Sequence, residues 1–188
     1  MTPKGQPALL LIDIQKGMDD IAYWGGHRNN PEAEKNAARL LQFWREHALP
    51  VFHVRHNSTN PESRLAKGKP GNEIKDIVRP LESETVIEKS VNSAFIGTEL
   101  QPRLDKLSIK KLVITGLTTN HCVSTTTRMA GNLGYETYLV SDATATFDRL
   151  GMDGKKYSAE IMHATELASL EGEFARVLTT EQLLQLLK

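Results

Sequence analysis

The chain has 188 residues, with 23 basic and 23 acidic side chains, a formal net charge of zero and 39% hydrophobic residues. That is the composition of one ordinary globular domain able to bury its own core, and its charge balance argues against a protein held to nucleic acid or to an anionic membrane surface by basic side chains. A single cysteine leaves no internal disulfide to form, and the apolar run before Asp13 is too short for a signal peptide or a membrane span, so a cytoplasmic protein is expected.

In chain order, short apolar runs alternate with helix-length amphipathic stretches. Ala8 to Ile14 is the first run, followed by a long polar connection from Gln15 to Asn30 and a helical pattern over about 31–48. Pro50 to Arg55 is the second, followed by another long connection, Asn57 to Gly71. Thr85 to Lys89, a helix over about 98–107, Lys111 to Gly116, a helix over about 121–133 and Glu136 to Asp142 come next. Helices over about 155–170 and 180–187 flank the last run, Ala175 to Leu178. Runs such as ALLLIDI and KLVITG are apolar nearly throughout, as strands covered on both faces are. Strands alternating with helices predict a three-layer α/β/α domain spanning residues 1–188, with about six mostly parallel strands. The two long connections leave the carboxyl ends of strands, where open α/β sheets bind ligands, so they are either functional loops or disordered surface insertions.

Nucleotide-binding and serine-hydrolase signatures are absent: no G-x-G-x-x-G follows a strand, and neither G-x-x-x-x-G-K-[ST] nor G-x-S-x-G occurs. A lone cysteine is most often an inert buried hydrophobe. Cys122, however, follows the run Lys111–Gly116 and a turn of Leu117, Thr118, Thr119 and Asn120, which puts it in the first turn of a helix at a strand's carboxyl end. The helix dipole there would lower the thiol pKa, and free N–H groups would hold an oxyanion. Neighbouring His121 points about 100° away and is a poor proton acceptor for it. Asp13 and Lys89 end the first and third runs, where ionised groups survive only if paired or used. His53 and His56 face opposite sides of a strand and do not chelate one ion; no metal or other cofactor is expected. Trp24, Phe95 and Phe147, together with Tyr23, follow predicted strands and either line a pocket or pack in the core. Arg55, His56 and Arg128 either bind a substrate carboxylate or serve as surface or ion-paired groups.

Asp13-Ile14-Gln15 after an apolar strand, Lys89 followed by Ser93-Ala94-Phe95, and Gly116-Leu-Thr-Thr119-Asn120-His-Cys122-Val123 continuing to Thr126, Arg128 and Ala130 recur in this order with Gly134-Tyr135 and Ser141-Asp142-Ala143. In these, over almost its whole length, the chain resembles the isochorismatase-like cysteine hydrolases, a superfamily that includes nicotinamidases and N-carbamoylsarcosine amidases. The resemblance implies a sheet in the order 3-2-1-4-5-6, a catalytic triad of Asp13, Lys89 and Cys122, and an oxyanion hole from the backbone N–H groups of Thr118 and Cys122. It also implies a cis peptide at Leu117–Thr118. From their own positions in the sequence, Trp24, His56, Phe95 and Phe147 are the expected substrate-binding residues. His56-Asn57-Ser58 departs from the nicotinamidase metal site, which carries an Asp and His beside a Trp, so nicotinamide and zinc are disfavoured. The implied reaction is hydrolysis of a non-peptide C–N bond in a small molecule (carboxamide, N-carbamoyl or ureido) through a thioester, by a homodimer or homotetramer. Isochorismatase-type ether hydrolysis, or a catalytically silent binding or redox-sensing homologue, are the alternatives.

Overall fold

The computed structural model describes residues 6–187, and its centre is set by the most apolar stretch of the sequence. In β1 (Ala8–Ile12) every residue is buried. Because side chains alternate across a strand, Leu10 and Ile12 enter one hydrophobic cluster while Leu9 and Leu11 enter another on the opposite face. Burial of each such leucine stabilises the fold by roughly 1.5–3 kcal/mol.

Around β1 lie β2 (Val51–His56), β3 (Thr85–Lys89), β4 (Lys111–Leu117) and β5 (Glu136–Ala145). A short antiparallel hairpin of β6 (Arg149–Leu150) and β7 (Lys156–Tyr157) precedes β8 (Arg176–Leu178). The six-stranded sheet runs β3-β2-β1-β4-β5-β8 with every pair parallel, which is the expected order with β8 as the sixth strand. α1 (Ile21–Trp24) is a single turn. α2 (Ala33–Glu46) and α6 (Thr180–Leu186) cover one face through Leu40, Leu41, Trp44 and Leu183. α3 (Leu100–Lys106), α4 (Ser124–Asn132) and α5 (Ala159–Leu170) cover the other through Leu100, Leu104, Ala130 and Leu170. No helix among the described residues is long and apolar enough to cross a membrane.

Three local features differ from the sequence reading or refine it. α5 starts at Ala159 rather than near 155, because Lys156 and Tyr157 pair with β6 and Ser158 caps the helix by accepting the N–H of Ile161. The two long connections are ordered rather than loose insertions. Buried Gln15 donates to the carbonyls of His56 and Asn72 and accepts the His56 N–H, and Asn72 donates to the carbonyls of His56 and Leu65. Finally, the turn before α4 is a π turn, Thr119–Val123, rather than the start of an α-helix.

The strand order reverses direction between β1 and β4, the position at which open α/β sheets form a crevice at their carboxyl ends. Gly116 brings the two strands together there: a Cβ on it would sit 2.0 Å from the Ile12 carbonyl oxygen, and its φ of 124° favours glycine. The turn that carries Cys122 is thereby set beside Asp13.

Candidate active site

Asp13 follows β1 and is wholly buried, with its N–H bonded to the Val54 carbonyl. Lys89 ends β3, two strands away, and sits in register with His56 at the end of β2. Its side chain reaches past β2: Nζ donates to Asp13 Oδ2 at 2.6 Å and to His56 Nδ1 at 3.0 Å. Both charged side chains are 0% exposed, so the pair sits in a low-dielectric setting where each charge depends on the other. Cys122 lies in the π turn, 8% exposed, and its thiol points at Asn92 Oδ1 at 3.7 Å. One donor atom each of Asp13, His56 and Cys122 lie within 4.8 Å of one another.

The electrostatics of the thiol differ from the sequence expectation. Burial pushes the Cys122 pKa up, and the nearby Asp13 carboxylate adds to this, while Lys89 opposes it. A lone helix terminus would have favoured thiolate, but desolvation and a neighbouring anion outweigh it. The resting group is therefore a thiol facing a carboxylate. Burial and then the Lys89 charge lower the pKa of His56, with Asp13 opposing, which suits a neutral ring accepting from the ammonium. These three donors do not fit a divalent metal: Lys89 already supplies the positive charge between Asp13 and His56, and an ion there would have to expel it. His53 lies on the other side of β2, bonded to Glu84, and Asn57 is engaged by Glu88 and Asn72.

These groups open into a cavity of about 380 Å³ at the carboxyl end of the sheet, within the range of small-molecule sites. Asp13, His56, Thr118 and Cys122 form its floor, and Tyr23 and Trp24 of α1 stand at its wall. The Leu117–Thr118 peptide in the floor is cis. A second concavity of about 410 Å³, at the opposite end of the sheet beside Phe43, Tyr138 and Leu187, gathers no comparable set of reactive groups.

The model of the isochorismatase domain matches residues 7–182. The chain belongs to the isochorismatase family. An uncharacterised isochorismatase family protein of Bacillus subtilis, YrdC, is 48% identical over 177 residues, covering 94% of each chain. Nicotinamidase 3 of Arabidopsis thaliana is 28% identical, covering 94% of this chain and 86% of its own. The crystal structure of a protein assigned to the isochorismatase family of hydrolases, from Chromobacterium violaceum, superposes with a TM-score of 0.92 at 45% identity, covering 96% of this chain and 92% of that one.

Within this isochorismatase-family hydrolase, the predicted site residues divide. Asp13, Lys89 and Cys122 converge, with His56 and Thr118 beside them. Trp24 also lines the cavity, its indole N–H donating to the Gly17 carbonyl. Phe147 does not: it is 0% exposed and stacks under Trp24 at 6.1 Å, so it supports the wall from behind. Phe95 is turned away as well, stacked on Tyr135 at 5.8 Å against the hydrophobic core. Arg55 is bound to Glu88, and Arg128 to Glu166 at 3.0 Å; neither lines the cavity. Sequence reasoning passed over Arg149 and discounted His121, both of which do. Arg149 stands on a two-residue strand with no periodicity to mark it, and only the hairpin's fold aims it inward.

Proposed function

We propose that this isochorismatase-family hydrolase is a cysteine amidohydrolase that cleaves a non-peptide C–N bond of a small molecule, with Asp13, Lys89 and Cys122 as its catalytic triad. The observation that carries the reading is the meeting of a buried thiol with a carboxylate, itself held by an ammonium group at 2.6 Å, on the floor of one small cavity.

The Cys122 thiol gives its proton to Asp13 as sulfur attacks the substrate carbonyl carbon, so no free thiolate accumulates beforehand. The backbone N–H groups of Thr118 and Cys122 receive the developing oxyanion. Asp13 returns the proton to the departing nitrogen as the C–N bond breaks, leaving a thioester. Water then attacks the thioester, its proton passing to Asp13, and the acid product leaves as the Cys122 thiol is restored. Lys89 holds Asp13 in position between these transfers, its ammonium group donating to Oδ2 at 2.6 Å.

The test is release of ammonia from a panel of small carboxamides and ureido compounds by the wild type, Cys122→Ala and Asp13→Asn. Both variants should lose at least about 10³-fold in kcat while staying folded, as loss of a nucleophile or its base does. Ammonia release that survives Cys122→Ala would overturn the thioester route, and cleavage of isochorismate by that variant would favour ether hydrolysis with Asp13 as the acid.

A further inference from the structure

Five arginines among the described residues are half-buried: Arg28, Arg45, Arg55, Arg128 and Arg149. Four of them are paired with a carboxylate, Arg28 with Glu34, Arg45 with Glu84, Arg55 with Glu88 and Arg128 with Glu166. Arg149 has no acidic partner among the described residues. Its Nη2 donates to His121 Nδ1 at 3.1 Å, and its Nε is buried with no partner. It lines the same cavity as Cys122 and Asp13.

The backbone holds it there. Asp148 donates its N–H to the His27 carbonyl, accepts the N–H of Ala159 and pairs with Lys156 at 2.6 Å, and Arg149 lies opposite Tyr157 in the hairpin. His121, which also touches the Thr118 hydroxyl, is driven toward its neutral form by burial and by the Arg149 charge, with Glu166, itself paired with Arg128, opposing, and it offers a ring nitrogen rather than a negative charge. Asp13 is already balanced by Lys89. The cavity therefore carries one uncompensated positive charge, and a neutral substrate that displaced its water would leave a guanidinium buried with donors unmet.

We propose that Arg149 is the anion subsite of this active site, and that the substrate is a small amide or ureido acid whose carboxylate lies a few bonds from the carbonyl attacked by Cys122. The substrate class rests on the amidohydrolase reading; the anion subsite stands on the geometry of Arg149. A carboxylate there would accept from the free guanidinium edge, the pairing to which a planar fork of donors is suited. The same charge disfavours amines and other cations as ligands.

The chain's one cysteine allows a test that needs no substrate. Iodoacetate and iodoacetamide alkylate Cys122 by the same displacement of iodide and differ in carrying a carboxylate or an amide. The ratio of their rates should fall about 10- to 100-fold from wild type to Arg149→Gln, the span of one charge-assisted hydrogen bond, with Arg149→Lys in between. An unchanged ratio would overturn the anion subsite, whatever happens to the two rates individually. In a second arm, amides ending in a carboxylate are compared with methyl-ended amides of equal length. The wild type should prefer the acids in kcat/KM and Arg149→Gln should lose that preference, mainly through KM. Equal use of both sets by the wild type refutes the acid substrate while leaving the amidohydrolase intact. A rate ratio that falls in Arg149→Gln while no amide is hydrolysed supports the anion subsite and refutes the amidohydrolase.

Discussion

Replacing Lys89 by Met would remove the ammonium group while nearly keeping the side chain's length and apolar stem. In the wild type Nζ stands 2.6 Å from Asp13 Oδ2, both side chains are fully buried, and Asp13 Oδ1 has no hydrogen-bond partner. Lys89→Met therefore leaves a carboxylate in a low-dielectric site without a counter-charge. Breaking one side of a buried pair costs about 3–5 kcal/mol. For a chain of this size, about 2–4 °C per kcal/mol puts the fall in Tm at roughly 6–20 °C. Adding Asp13→Asn removes the orphaned charge, and asparagine tolerates the positive φ of 50° at this position. The double variant should recover most of the loss, to within about 1–2 kcal/mol of wild type, because a neutral replacement also avoids the pair's desolvation. Chemical and thermal denaturation followed by circular dichroism, on wild type and the three variants, closes the cycle. The double variant should be stable and inactive, which separates what the charges do for folding from what they do for chemistry. A Lys89→Met protein within about 1 kcal/mol of wild type, or a double variant no more stable than Lys89→Met, would refute the reasoning.

Three further outcomes follow from the same structure. In Asp13→Asn the anion that helps to raise the Cys122 pKa is gone and Lys89 still lowers it, so iodoacetamide should label Cys122 faster than in wild type near pH 8 although hydrolysis is lost; slower labelling would contradict the assigned electrostatics. Gly25→Ala would place a Cβ 2.2 Å from the Asp148 carbonyl oxygen at a φ of 150°, forcing α1 away from the hairpin. A fall in kcat/KM of about 10-fold or more, with a shift in tryptophan fluorescence from Trp24, is the expected result of that misplacement, and unchanged kinetics would count against a wall built from both segments. Burial works against the charge of Glu34, but Arg28 and Lys75 overcome it and hold its pKa at about 2. That is below the unfolded value of about 4.3, so the contribution, about 3 kcal/mol, is complete above that pH and disappears as pH falls toward 2. Glu34→Gln should flatten the loss of stability across this window, and an unaltered acid-unfolding slope would rule the contribution out.

Much of the site was legible because strand ends are legible. Asp13 follows five apolar residues, Lys89 closes a strand and Cys122 follows a strand and a turn, and a parallel sheet delivers such ends to one rim. Their adjacency depends on strand order, which came from the family resemblance and not from periodicity. Phe95 and Phe147 show the limit: an aromatic residue after a strand satisfies the same pattern whether it turns to the cavity or to the core, and both turn to the core.

The sequence by itself determined the alternation of strands and helices, the two-sided burial of β1 and the chemical identities of the reactive groups, since these depend on side-chain type and local spacing. Tertiary structure alone decided the state of the thiol, the neutrality of His56 and His121, and the solitary charge of Arg149. Each depends on distances to groups far away in the chain, across β2 for Lys89 and across the cavity for Arg149, and a pKa or an unpaired charge is a property of surroundings that no local pattern encodes.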